Sequence, residues 1–190
     1  EEQYHEIRHP SGHTVLVCPK ALSTYYATLG VRFGALDGLQ GDKTPRGVAH
    51  FLEHKMFEGA DGTEVDRVFS ALGAEVNAFT SYERTAYQCS CTDGENFSAA
   101  LEALLQMVLS LTVTEASVKR ERRIIAEEIR MNGDSPYERC YAELIRALYV
   151  THGVREEICG TRASINRITA GVVSDHYQAY YRPDRMMLAV

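Results

Sequence analysis

The sequence predicts an α+β fold: a mixed, largely antiparallel sheet with helices packed on one face. Three observations predict it. Runs rich in β-branched and aromatic residues come in groups, at 14–35 and 74–92, and do not alternate singly with helices. Long segments with apolar residues at helical spacing follow one another between 93 and 150. A last apolar run, "MMLAV" at 186–190, returns to a strand. Strands, helices, strands, helices and one strand is not a steady βαβ alternation, so the sheet is not an all-parallel one.

The elements follow in order. "TVLVCPK" (14–20) and "TYYATLGVRFGA" (24–35) read as two strands, paired as a hairpin. "DGLQGDKTPRG" (37–47) carries loop signals, and Pro45 suits the first turn of a helix that continues through 50–54. "TEVDRVFSAL" (63–72) reads as a short amphipathic helix stopped by Gly73. "AEVNAFTS" and "RTAYQCSCT" read as strands around "YE", with Cys89 and Cys91 buried on one face. Helices are expected over 93–111, over 114–131 from a Thr114 cap, and over 135–150 from Ser135 with Pro136 at its first position. A further helix is expected over 164–181. Ile124, Ile125 and Ile129 should form the buried side of the 114–131 helix.

Composition bounds the function. The 190 residues suit one domain with a real core, and 45% hydrophobic with 24% charged residues is no disordered composition. A net charge of −6 argues against nucleic acid as a partner. Lys119, Arg120, Arg122 and Arg123 are interleaved with Glu121, Glu127 and Glu128, as on a solvated mixed-charge helix face. No apolar run is long enough to span a bilayer, so no membrane role is expected. Five cysteines without a close-set framework, and no leader, predict the cytoplasm. The chain stops inside an apolar strand, which predicts that it was cut from a longer protein.

The chemistry concentrates in "HFLEHKMFEG". On a helix His50, Glu53 and His54 stand at i, i+3 and i+4 and project together. Two neutral imidazoles one turn apart hold Zn²⁺ well, with the carboxylate left for a water molecule; the order is H-x-x-E-H. A catalytic zinc needs a third ligand. "ERRIIAEEIRM" offers two, because Glu121 and Glu128 are seven apart and nearly coincide in angle on a helix. A cation would offset the cost of holding them near an apolar face. No cysteine lies near either motif in the sequence, which speaks against a closed structural zinc site.

"RGVAHFLEHKMFEG", "LGAEVNAFTSYERTAY", "ERRIIAEEIRMNGDSP", "ICGTRASINRIT" and "YYRPDRMMLAV" resemble, in order, blocks of the M16 (pitrilysin/insulinase-like) zinc metallopeptidases. The likeness covers nearly the whole chain, and "HFLEHKMF" is similar to the smaller bacterial members. The departures are His-Gly at 152–153, where His-Pro is common, and Gly133. The resemblance implies one catalytic N-terminal domain over 1–190, working with a second half in the same chain or a partner subunit. It implies one Zn²⁺ on His50, His54 and Glu128, Glu53 as general base, and Glu121 orienting a ligand or balancing charge. Asn77, Ala78, Phe79 and Thr80 would form an edge strand that pairs with an extended peptide substrate. The implied activity is zinc-dependent endopeptidase, weak or absent in the isolated domain. The alternative is a non-catalytic peptide-binding or assembly subunit of the same fold.

Overall fold

The computed structural model describes residues 3–37, 44–58 and 65–190. Its sheet has six strands: β1 (His5–Arg8), β2 (Thr14–Val17), β3 (Tyr25–Val31), β4 (Ala74–Thr80), β5 (Thr85–Cys91) and β6 (Met186–Ala189). Their spatial order is β1-β2-β6-β3-β5-β4. Only β2 and β6 run parallel; the other neighbours are antiparallel. The helices are α1 (Val48–Met56), α2 (Val65–Ala71), α3 (Gly94–Leu109), α4 (Glu115–Asp134), α5 (Pro136–Leu148), α6 (Arg162–Ile165) and α7 (Ala170–Tyr180). The α+β class with a mixed, largely antiparallel sheet is as the sequence predicts.

Strand alternation decides which face is covered. Ala27, Leu29 and Val31 of β3 and Tyr87, Cys89 and Cys91 of β5 are buried under the helices with Phe51, Leu52, Leu104 and Ile125. Thr28, Gly30, Gln88 and Met187 line an open cavity of about 890 Å³ on the opposite face. Cys89 and Cys91 are therefore buried thiols on one face, as expected.

The differences have local physical reasons. β2 and β3 do not form a hairpin: β6, arriving from the end of the chain, lies between them, and β2 pairs instead with the preceding β1. The predicted helix over 164–181 is two. Thr161 and Ser164 form a capping box at α6, and Thr169 accepts from the Val172 N–H to start α7 afresh. Pro45 precedes α1, because Gly47 at φ 87° is a left-handed residue that ends the non-helical approach. Of the isoleucines of α4, Ile125 is fully buried but Ile124 is exposed. Residues 38–43 of the predicted loop and 63–64 of the predicted short helix lie outside the described residues.

Helix α5 buries none of its residues, although Ser135 caps it and Pro136 opens it as predicted. Tyr137, Tyr141, Leu144 and Leu148 stand exposed. Among the described residues no helix is long and apolar enough to cross a membrane.

Candidate metal centre

Helix α1 is buried on nearly every side. Val48, Ala49, Phe51, Leu52 and Met56 lie in the core, and α1 packs on α4, α7 and β4. One narrow strip remains for polar side chains, and His50, Glu53 and His54 share it. The His50 and His54 rings meet edge to face at 4.6 Å between centroids. Helix α4 crosses this strip and brings Glu121 and Glu128 to it.

Glu128 sits between the two histidines. Its Oε1 is 3.5 Å from His50 Nε2 and its Oε2 is 3.3 Å from His54 Nε2. His54 Nδ1 is 2.8 Å from Glu121 Oε1. A proton on Nδ1 satisfies that contact and turns the Nε2 lone pair toward Glu128. His50 is buried, and its Nδ1 has no hydrogen-bond partner. Its Nε2 therefore points at the carboxylate with no better partner than a long contact.

The electrostatics match this packing. Burial of the His54 ring opposes its charge, but hydrogen bonds with Glu121 and Glu128 outweigh burial and raise its pKa to about 9. The two histidines hold the Glu128 carboxyl well below the usual carboxylate range. Two imidazole nitrogens and a carboxylate, one imidazole oriented by a second carboxylate, suit Zn²⁺ as a donor set.

Glu53 has its own support. The Thr80 hydroxyl, on β4, donates to Glu53 Oε2 at 2.5 Å. Beneath it Thr85 donates to the Phe33 carbonyl, and the Tyr87 and Tyr181 hydroxyls meet at 2.7 Å. A cleft of about 350 Å³ opens beside Glu53, lined by His50, Phe79, Thr80, Tyr141 and Ile145 among others. α5 thus forms one wall.

Among the described residues β4 is an edge of the sheet, bonded only to β5. The Ala78 N–H donates to Asn77 Oδ1 at 2.8 Å, so it points away from β5. Strand alternation turns the backbone groups of Val76 and Thr80 the same way. Asn77 and Phe79 carry their side chains on the exposed face, whereas Ala78 and Thr80 face the helices and Glu53. The structure so brings His50, Glu53, His54, Thr80, Glu121 and Glu128 into one site. Asn77, Ala78 and Phe79 lie along its rim.

Two residues escape the sequence reading. Lys55 is fully buried, and its ammonium bonds Glu58, which also pairs with Arg120. This pairing ties the end of α1 to α4. The other is Cys159, whose Sγ lies 3.7 Å from Glu128 Oε1 and 3.9 Å from His50 Nε2. No cysteine is near the motifs in sequence, yet one is near them in space. Burial and the Glu128 charge push this thiol up to about 12.

Fold and site together define the class. Residues 24–162 match the family described as Insulinase (Peptidase family M16), and the chain belongs to it. It is 40% identical over its full length to YmfH of Bacillus subtilis, named an uncharacterized zinc protease, and covers 45% of that protein. It is 33% identical, over 76% of this chain, to a second such protein, YmxG, and covers 36% of it. Among solved structures, an M16-like peptidase from Alicyclobacillus acidocaldarius superposes with a TM-score of 0.91 at 38% identity, over 99% of this chain and 45% of that one. The first half of the periplasmic protease PqqL from Escherichia coli superposes at 0.86 with 25% identity, over 100% of this chain and 42% of that one. The chain thus spans less than half the length of each of these relatives.

Proposed function

We propose that this chain is the catalytic N-terminal domain of a zinc-dependent endopeptidase acting on extended peptides or small polypeptides. His50, His54 and Glu128 would hold one Zn²⁺, and the observation that carries this is their convergence, with Glu121 orienting His54. When bound, zinc supplies a water of lowered pKa and polarises the substrate carbonyl. Glu53 accepts the water's proton and delivers it to the leaving nitrogen. Thr80 holds Glu53 in place for both transfers. An extended peptide adds to the free edge of β4, bonding the outward backbone groups of Ala78 and its neighbours, with Asn77 swinging off the Ala78 N–H. The 350 Å³ cleft takes a substrate side chain next to the scissile bond.

A second M16 half, in the same chain or in a partner subunit, completes the substrate chamber. The share of each relative that this chain covers supports this. The exposed apolar side of α5 is the surface that half would help enclose. Five free thiols fit a reducing compartment, the cytoplasm, although PqqL is named periplasmic.

The test is metal content by elemental analysis, with peptide hydrolysis measured in the presence of the second half. We expect one zinc per chain, lost in Glu128→Gln and in His54→Ala, and hydrolysis that disappears with it. A full-length protein that binds zinc but cleaves no peptide would move the reading to a peptide-binding subunit.

A further inference from the structure

We propose that Cys159 is a fourth protein ligand at this metal site, closing the set of His50, His54 and Glu128 in the resting protein. The proposal rests on the zinc reading above and adds a ligand that the H-x-x-E-H motif does not contain.

Geometry carries it. The ligand atoms of His50, Glu128 and Cys159 all lie within 4.8 Å of one another, the one such group of metal-ligating side chains among the described residues. Zinc–nitrogen, zinc–oxygen and zinc–sulfur bond lengths imply edges of roughly 3.3–3.6 Å for a tetrahedral set. The separations here are 3.5 Å for His50 to Glu128, 3.7 Å for Glu128 to Cys159 and 3.9 Å for Cys159 to His50. A shift of a few tenths of an ångström seats His50, Glu128 and Cys159. His54 reaches the other oxygen of Glu128 at 3.3 Å and lies outside that group of three, so its ring must move inward to take the fourth corner.

The buried His50 faces the same pair. Its side chain is 8% exposed, its Nδ1 is unpartnered, and its Nε2 is aimed at the Glu128 and Cys159 pair. A thiol used as small apolar filler would sit among hydrocarbon. This one meets an imidazole, a carboxylate and the Asn132 amide at 3.9 Å.

The backbone holds the thiol there. Gly47 and Gly160 both have positive φ, at 87° and 75°. A Cβ on Gly47 would fall on the Cys159 carbonyl oxygen, and one on Gly160 would strike the Arg46 carbonyl oxygen at 2.6 Å. The loop is therefore pressed backbone to backbone against the start of α1. The Thr161–Ser164 capping box anchors it on the other side.

Coordination breaks the S–H bond, forms the metal–sulfur bond and releases the proton to solvent, with no change of oxidation state. Four protein ligands leave no open position for water. The resting domain is then closed, and catalysis requires Cys159 to be displaced.

The test replaces zinc with Co²⁺ in the purified chain. We expect a near-ultraviolet thiolate-to-cobalt charge-transfer band that is absent in Cys159→Ser and retained in Cys140→Ser. Zinc affinity, measured against a chromophoric chelator, should fall roughly tenfold or more in Cys159→Ser. Stoichiometric cobalt without that band, or a band that survives Cys159→Ser, overturns the proposal and leaves the zinc reading standing. Cobalt that does not bind, or binds equally to His54→Ala, overturns both. Alkylation of the unmutated chain gives a second measurement that needs no variant. Cys159 should be protected from iodoacetamide when zinc is bound and labelled after chelation; equal labelling in both states would refute ligation.

Discussion

The two edges of the sheet are built differently. β1 is four residues long, wholly exposed, and carries Glu6 and Arg8 paired to each other at 2.6 Å. Short and charged, it is a poor template for another strand. β4 is seven residues long, and among the described residues the Asn77 side chain folded onto the Ala78 N–H is its guard. It runs past Glu53, and its last residue bonds that carboxylate. The contrast teaches that one edge is closed to a further strand and the other is left open to one. The open edge is the one beside the candidate metal ligands.

The same chemical change on α1 beside β4 and on β1 breaks or confirms this contrast. Glu53→Gln should lower kcat of the assembled protein by about 10³-fold while zinc content stays unchanged, because the amide accepts a hydrogen bond but cannot carry the proton. Glu6→Gln should leave kcat/KM where it was. Equal effects would end the comparison.

Stability at the β4 end offers the next test. Glu58 is the carboxylate partner of the buried Lys55. Burial opposes its charge, but its bonds to Lys55 and Arg120 prevail and lower its pKa from 4.5. Its contribution is therefore fully present above pH 4.5 and is lost as pH falls toward the depressed folded value. Glu58→Gln strands the lysine charge and should cost about 2–3 kcal/mol, less than a fully enclosed pair because Glu58 is partly exposed. Urea titrations at pH 7 and pH 4 check this: the gap between the two proteins should narrow at the lower pH.

A smaller effect concerns the edge itself. Ala78→Pro removes an N–H that points away from β5, so the sheet keeps its ladder. KM for an extended peptide should rise about thirtyfold with zinc content unchanged, equivalent to losing one or two backbone hydrogen bonds. The smallest expected change is Thr80→Val, which frees Glu53 from its hydroxyl partner. It should reduce kcat about tenfold and leave KM alone. A rise in KM instead would mean that Thr80 serves substrate binding only.

What the sequence shows and what it hides follow from distance along the chain. His50, Glu53 and His54 form a local pattern on one helix, and Glu121 and Glu128 repeat on another. Both are legible because helical geometry alone fixes them. That these two helices cross at those residues is not legible from periodicity; it entered through family resemblance. Cys159 lies in a loop where no period applies, and its place depends on two glycines that let distant backbones touch. The insertion of β6 between β2 and β3 is hidden for a similar reason: a parallel pairing across most of the chain leaves no turn signal to read. Ile124 misleads because α4 covers the core with a narrow stripe, and one residue's rotation turns it to solvent.

The contact between Cys159 and the start of α1 spans 109 residues of sequence. During synthesis α1 leaves the ribosome long before the loop that braces it. β3 likewise waits for β6, its neighbour from the far end of the chain. A nascent chain therefore carries both histidines for many seconds without the surroundings that align them. The candidate site is complete only once the loop that carries Cys159 and the strand that pairs with β3 have both been made.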